Sequence, residues 1–166
     1  MKALSIRQPW AWAILHAGKR IENRDWRSAP SYRGPLLIHA AKGCTGLEYQ
    51  EAAGWMVDAG LAEHIGAFDF EVKRAQSRGR IAVPRLADLD RGGIVGVCDL
   101  VDVILPGGVY ASKAYPANPA HRADSPWYVG ALGLVLDNVR PLPFVPFKGA
   151  LGFFDVPDDL LAGGRP

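Results

Sequence analysis

The stretch from Ser5 to Arg24, S-I-R-Q-P-W-A-W-A-I-L-H-A-G-K-R-I-E-N-R, constrains the fold of this chain more than any other. The apolar Ala3-Leu4 leads into Ser5, Ile6 and Arg7, which read as the end of a strand. Pro9 suits a first helical turn, where its missing N–H costs nothing. Trp10, Ala13, Ile14 and Ala17 then recur at helical spacing and make one apolar stripe. Gly18 follows directly and can take the left-handed conformation that ends a helix. A second strand is expected from Ile21 to Trp26, with Glu22 and Arg24 on one face and Ile21 and Asn23 on the other. Lys19, Glu22 and Arg24 therefore gather just past the helix. On an open surface such a group is a solvated strand face carrying weak ion pairs. At the edge of a cleft it is a binding site.

The rest of the chain reads as short strands separated by turns. Leu36 to Ala40 is an apolar run between Gly34-Pro35 and Gly43, hence a buried strand, and His39 within it reads as a hydrogen-bonded core residue. Thr45-Gly46-Leu47-Glu48 matches a capping box, which predicts a helix from Gly46 to Ala59 stopped by Gly60. Residues 61 to 70 are a candidate for a further short helical piece. Glu71 to Arg91 is rich in basic side chains (Lys73, Arg74, Arg78, Arg80, Arg85 and Arg91), either a phosphate-contacting arm or a solvated insertion. Ile94 to Leu105 is the most legible strand. Simple alternation places Asp99 on the same face as Val95, Val97, Val101 and Val103 and turns Asp102 outward to solvent. A carboxylate among valines costs several kcal/mol unless a cation or donor meets it, and Lys19 and Arg24 are the candidate partners. Pro106 to Pro126 is a long loop, and such loops inside compact domains are functional or mobile. Its Tyr110, Ser112, Lys113, Tyr115, His121, Arg122 and Ser125 are candidates to border a ligand. Trp127 to Leu136 reads as a strand, with Trp127 at its mouth able to stack on a base. Pro141, Pro143 and Pro146 point to edge or bent segments before a last strand from Leu151 to Val156.

The run R-Q-P-W-A followed by G-K-x-I-E-x-R resembles the N-terminal signature of the ASCH domain family, a branch of the PUA-like superfamily. Weaker likeness continues through Y-R-G-P-L-L-I-H-A-A (Tyr32 to Ala41), G-I-V-G-V-C-D-L (Gly93 to Leu100) and K-G-A-L-G-F-F (Lys148 to Phe154). The resemblance implies an α+β fold, a small and mostly antiparallel PUA-like β-barrel with flanking helices. Its expected organisation is a single domain over residues 1–157, a helical, Arg-rich insertion at about 44–92, and a tail over 158–166. It also implies that the G-K-x-x-E/T-x-R stretch borders a ligand cleft and that the partner is RNA, single-stranded DNA or a modified nucleoside. In that picture Lys19, Glu22, Arg24, Asp99 and Trp127 bind the ligand: the cations meet phosphate or neutralise the acids, the acids read base edges, and Trp127 stacks.

An enzymatic alternative comes from the same resemblance. Some small ASCH proteins are amidohydrolases that remove an acyl group from N4-acetylcytidine with a lysine of this motif, a threonine three positions later and a glutamate on a later strand. Lys19 matches the lysine. Glu22 stands at the threonine position, and Asp99 is one methylene shorter than the glutamate. A lysine acts as base or nucleophile when its pKa is depressed, whereas Glu22 and Asp99 beside it favour the ammonium. Ribonuclease activity is a further possibility that the family implies, with no acid–base pair identifiable in this sequence.

Composition narrows the remaining classes. At 166 residues the chain has the length of one domain, and its formal charge of +2 is too small to announce a nucleic-acid protein, so any such role rests on local placement of Lys and Arg. Cys44 and Cys98 lie far apart without metal-ligand spacing, so neither a metal nor a cofactor is expected. No apolar stretch reaches the length of a membrane span and no signal peptide is evident, which leads to the expectation of a cytoplasmic protein without membrane partners.

Overall fold

The computed structural model describes residues 1–62 and 81–162, with the side chains of 161 and 162 left aside. The expected piece over residues 61 to 70 falls almost entirely outside the described residues, as do Lys73, Arg74, Arg78 and Arg80 of the basic segment.

The strands are β1 (Lys2–Ile6), β2 (Ile21–Arg24), β3 (Gly34–Ala40), β4 (Gly93–Leu105), β5 (Val109–Tyr110), β6 (Leu132–Pro146) and β7 (Phe153–Asp155). They form one seven-stranded mixed sheet in the order β2-β6-β4-β3-β1-β7, with β5 hydrogen-bonded to β4. Only β1 and β3 run parallel among these pairs. Among the described residues the path ends at β2 and β7 and does not return on itself, so the architecture there is α+β around an open ladder. The helices among the described residues are α1 (Trp10–His16), α2 (Gly46–Asp58) and the short α3 (Asp159–Ala162).

Local signals account for α1 and α2. Buried Gln8 accepts the Trp12 N–H at 3.0 Å and so closes the α1 N-terminus, while its own amide donates to the Asp90 carbonyl at 2.8 Å. Gly18 takes φ +71°, and the Lys19 N–H returns to the Ala13 carbonyl at 3.1 Å, which turns the chain sharply out of the helix. Both halves of the Thr45–Glu48 capping box are formed at α2, and Gly60 has φ +70° beyond it. Helix α1 lies between two cores. Ala11 and Ile14 pack with Leu4, Ile38, Leu100 and Leu134, whereas Trp12, Ala13 and Ala17 pack with Tyr49 and Met56 of α2. A third cluster joins Ala3, Leu37, Ile94, Val97 and Val156, and Leu160 of α3 packs on it. The residues just after 157 are thus attached: the Met1 ammonium lies 2.9 Å from the Asp158 carboxylate.

Strand β4 departs from simple alternation. Its pairing with β6 shifts register between Ile94 and Gly96, between Val97 and Asp99, and again between Leu100 and Asp102. The faces therefore change along the strand. Val95, Cys98, Leu100 and Val103 enter the main core, while Val101 is 43% exposed. Asp99 is half-buried and accepts the Asn138 side-chain amide at 2.7 Å. Asp102, expected in solvent, is instead enclosed: it accepts the N–H of Val103 at 2.8 Å and of Ser112 at 3.2 Å. Strand β6 also differs from expectation. It starts at Leu132, after Trp127, and continues through all three prolines to Pro146. Strand β2 covers β6 only over Leu132–Val135, so beyond that point one edge of β6 lacks a partner strand among the described residues. A missing N–H on that side breaks no ladder.

Candidate functional site

The first motif builds a buried charged triad. Lys19 and Glu22 are 2% and 7% exposed, with the ammonium 3.1 Å from the Glu22 carboxylate. The other Glu22 oxygen is 3.2 Å from the Arg24 guanidinium, which also donates to the Ser5 carbonyl at 2.8 Å. Lys19 donates in addition to the Ile21 carbonyl, so one of its three N–H positions has no partner among the described residues. The Arg24 Nε is buried without an acceptor, and its guanidinium lies 5.7 Å from the Trp26 ring.

Aromatic rings surround this triad. Lys19 Nζ is 5.8 Å from the centre of Trp10 and 5.9 Å from that of Trp127. Trp55 bridges them, 5.6 Å from Trp10 and 5.8 Å from Trp127. The rings, with Lys19, Glu22 and Asn23, line a cavity of about 330 Å³. That volume is at the small end of ligand pockets, which run from about 300 to 1,000 Å³. Asn23 holds the far wall: its amide donates to the Trp127 carbonyl at 2.8 Å, and its oxygen accepts the Val129 N–H at 3.1 Å. Strand β2 therefore supplies the charge from Glu22 and the position of Trp127 from its neighbour.

Burial lowers the Lys19 ammonium below its ordinary value, with Glu22 opposing the shift by charge and hydrogen bond and Arg24 adding to it. Desolvation outweighs the carboxylate, opposite to the balance expected from sequence.

The structure thus brings Lys19, Glu22, Arg24 and Trp127 together and separates Asp99 from them. Asp99 is not among the cavity-lining residues and takes Asn138 as its partner, because the register shifts of β4 aim it elsewhere. The loop candidates also lie outside the cavity lining. Ser112 binds Asp102, Tyr110 accepts the Ala123 N–H at 2.7 Å, and Arg122 holds the carbonyls of Pro116 and Ala117. Trp10, Asn23 and Trp55 are lining residues that sequence reasoning passed over. Trp10 read as part of a core stripe and Trp55 as part of an imperfect one, and neither spacing distinguishes a core ring from a cavity ring.

Among the described residues no helix is long and apolar enough to cross a membrane. Comparison with curated proteins finds no match. A model of the ASCH domain matches residues 4–136, which hold the whole triad and the three tryptophans, and the chain belongs to the ASCH domain family.

Proposed function

We propose that the chain recognises a nucleobase, in RNA, in single-stranded DNA or as a modified nucleoside, in the cavity above the Lys19–Glu22–Arg24 triad. The observation that carries this reading is the combination of a carboxylate and an ammonium at the floor with tryptophans at the walls. Flat rings bury well against indoles, and stacking of this kind contributes about 1–3 kcal/mol per base. Glu22 accepts from base N–H groups, the free Lys19 N–H position donates to a ring nitrogen or carbonyl, and Arg24 holds the carboxylate in place. Family membership supports the same class of ligand. The test is titration of the full chain with cytidine, N4-acetylcytidine and short single-stranded RNA and DNA, read by tryptophan emission. Saturable quenching that Trp127→Ala and Glu22→Gln abolish in folded protein supports the reading. Unchanged emission with every ligand removes it.

One observation favours a hydrolytic version. Burial moves Lys19 toward the neutral amine that an amidohydrolase needs. On this second reading the neutral Lys19 amine takes a proton from a water that attacks the acyl carbonyl carbon of a modified cytidine such as N4-acetylcytidine. The bond from that carbon to N4 breaks, the acid departs, and Glu22 relays the proton to N4. Conversion of N4-acetylcytidine to cytidine, lost in Lys19→Ala, is the expected result. No turnover, or turnover indifferent to Lys19, leaves binding alone.

A further inference from the structure

A second cavity of about 740 Å³ lies between Ser5, His39, Lys42 and the Lys148–Leu151 segment. We propose that Ser5 is an activated nucleophile in this cavity, with His39 as its base, acting on an acyl ester that carries a negative charge. The inference stands apart from nucleobase recognition and does not depend on it.

Strands β1 and β3 run parallel with Ser5 directly opposite His39. His39 is 2% exposed, and both ring nitrogens are engaged. Nε2 lies 2.9 Å from the Phe147 carbonyl oxygen, which can only accept, so Nε2 carries the proton. In the neutral ring Nδ1 is then the acceptor, and at 3.1 Å it takes the Ser5 hydroxyl proton. Nucleophile, base and orienting group stand in the order that covalent catalysis requires. Arg24, donating to the Ser5 carbonyl at 2.8 Å, fixes the nucleophile's main chain.

The segment above the pair completes the site. A Cβ on Gly149 would come within 2.5 Å of both Ser5 Oγ and His39 Cε1, so the main chain passes over the pair in a way that only glycine permits. The N–H groups of Lys148, Gly149 and Ala150 have no acceptor among the described residues, and since this segment lines the cavity we assign to it the donors for a developing oxyanion. Lys42 and Lys148 line the same cavity without an ion-pair partner among the described residues, which selects an anionic acyl group.

The chemistry balances with water as the only co-reactant. The Ser5 Oγ–carbon bond forms as the hydroxyl proton passes to Nδ1. The ester C–O bond breaks, and the leaving alcohol takes that proton. Water then attacks the acyl-serine, giving its proton to Nδ1, and Ser5 recovers it as the acid departs.

Incubating the full chain with a fluorophosphonate and mapping the adduct by peptide mass tests this directly. Ser5 is expected to carry the label, Ser5→Ala to stay unlabelled, and His39→Gln, which keeps a donor for Phe147 but no base, to react at least about 100-fold more slowly. The mono-p-nitrophenyl ester of succinate should be hydrolysed faster than p-nitrophenyl acetate, a preference that Lys42→Ala with Lys148→Ala abolishes. An unlabelled Ser5 in folded wild-type protein, a label elsewhere, or equal ester hydrolysis by Ser5→Ala overturns the proposal. Because these readouts use wild type and Ser5→Ala, they decide the matter even where His39→Gln does not fold.

Discussion

Glu22 is the residue on which the triad turns, since one carboxylate serves both Lys19 and Arg24. Removing one partner from a buried ion pair leaves an uncompensated charge, a loss of about 3–5 kcal/mol. Arg24 is partly exposed and water relieves some of that loss, so Glu22→Gln is expected to destabilise by about 3 kcal/mol, read as a lower urea midpoint. Lys19 makes a second, pH-dependent prediction. Its folded-state value is lowered beneath the 10.5 of the free side chain, so between the two values the unfolded chain binds more protons. Stability then rises with pH across that window, and the cost of the buried ammonium is fully present below it. Denaturant midpoints of wild type should climb relative to Lys19→Met as the pH rises toward 10.5, and parallel curves would show that Lys19 titrates normally. The cysteines give a third. Burial and the neighbouring Asp99 push the Cys98 thiol up to about 12, and burial and Glu48 raise Cys44 as well. Thiolate is the reactive form, so iodoacetamide at pH 8 should modify half-buried Cys44 slowly and Cys98 only after denaturant is added.

At the scale of elements, what was legible in the sequence and what was not follows from the range of the forces involved. Helix α1, its Gly18 stop and the capping box of α2 depend on neighbours within a few positions, and the sequence displays all of those neighbours. The place of Asp99 depends on register shifts in the pairing with β6, and nothing in the valine pattern of β4 encodes them. Trp127 reads from sequence as an aromatic at a strand mouth, but its tie to Asn23, 104 positions earlier, is a property of the folded chain. Gly96 shows the same distinction. It looks like an ordinary break between valines, yet a Cβ there would stand 2.4 Å from Leu15 Cδ2 and 2.8 Å from the Arg140 carbonyl. Leucine can rotate away, but the main chain of β6 cannot. Gly96→Ala is therefore expected to cost about 2 kcal/mol, seen as a lower urea midpoint with an unchanged slope. A neutral result would mean that β6 yields and that the β4–β6 ladder is softer than its register implies.

Over the whole molecule, the question is which charges a nucleic acid would meet. The chain's formal excess is only +2. In the cavity Lys19 and Arg24 are offset by Glu22, which leaves one net positive charge when Lys19 is protonated. A ligand read through its base in that cavity neutralises few phosphates, and each phosphate met on a single strand adds about −0.7 to the slope of log affinity against log salt. Single-stranded RNA bound by the triad should thus show a shallow slope of about −1. The basic segment with Lys73, Arg74, Arg78 and Arg80 makes the opposite prediction, since four phosphate contacts give a slope near about −3. Replacing those four residues with glutamine separates the two. If the cavity carries recognition, the shallow slope persists and affinity changes less than about twofold, while Trp127→Ala abolishes binding. If instead the substitutions flatten a steep slope and Trp127→Ala leaves affinity unchanged, attraction resides in the basic segment and the tryptophan cavity reads something other than a strand.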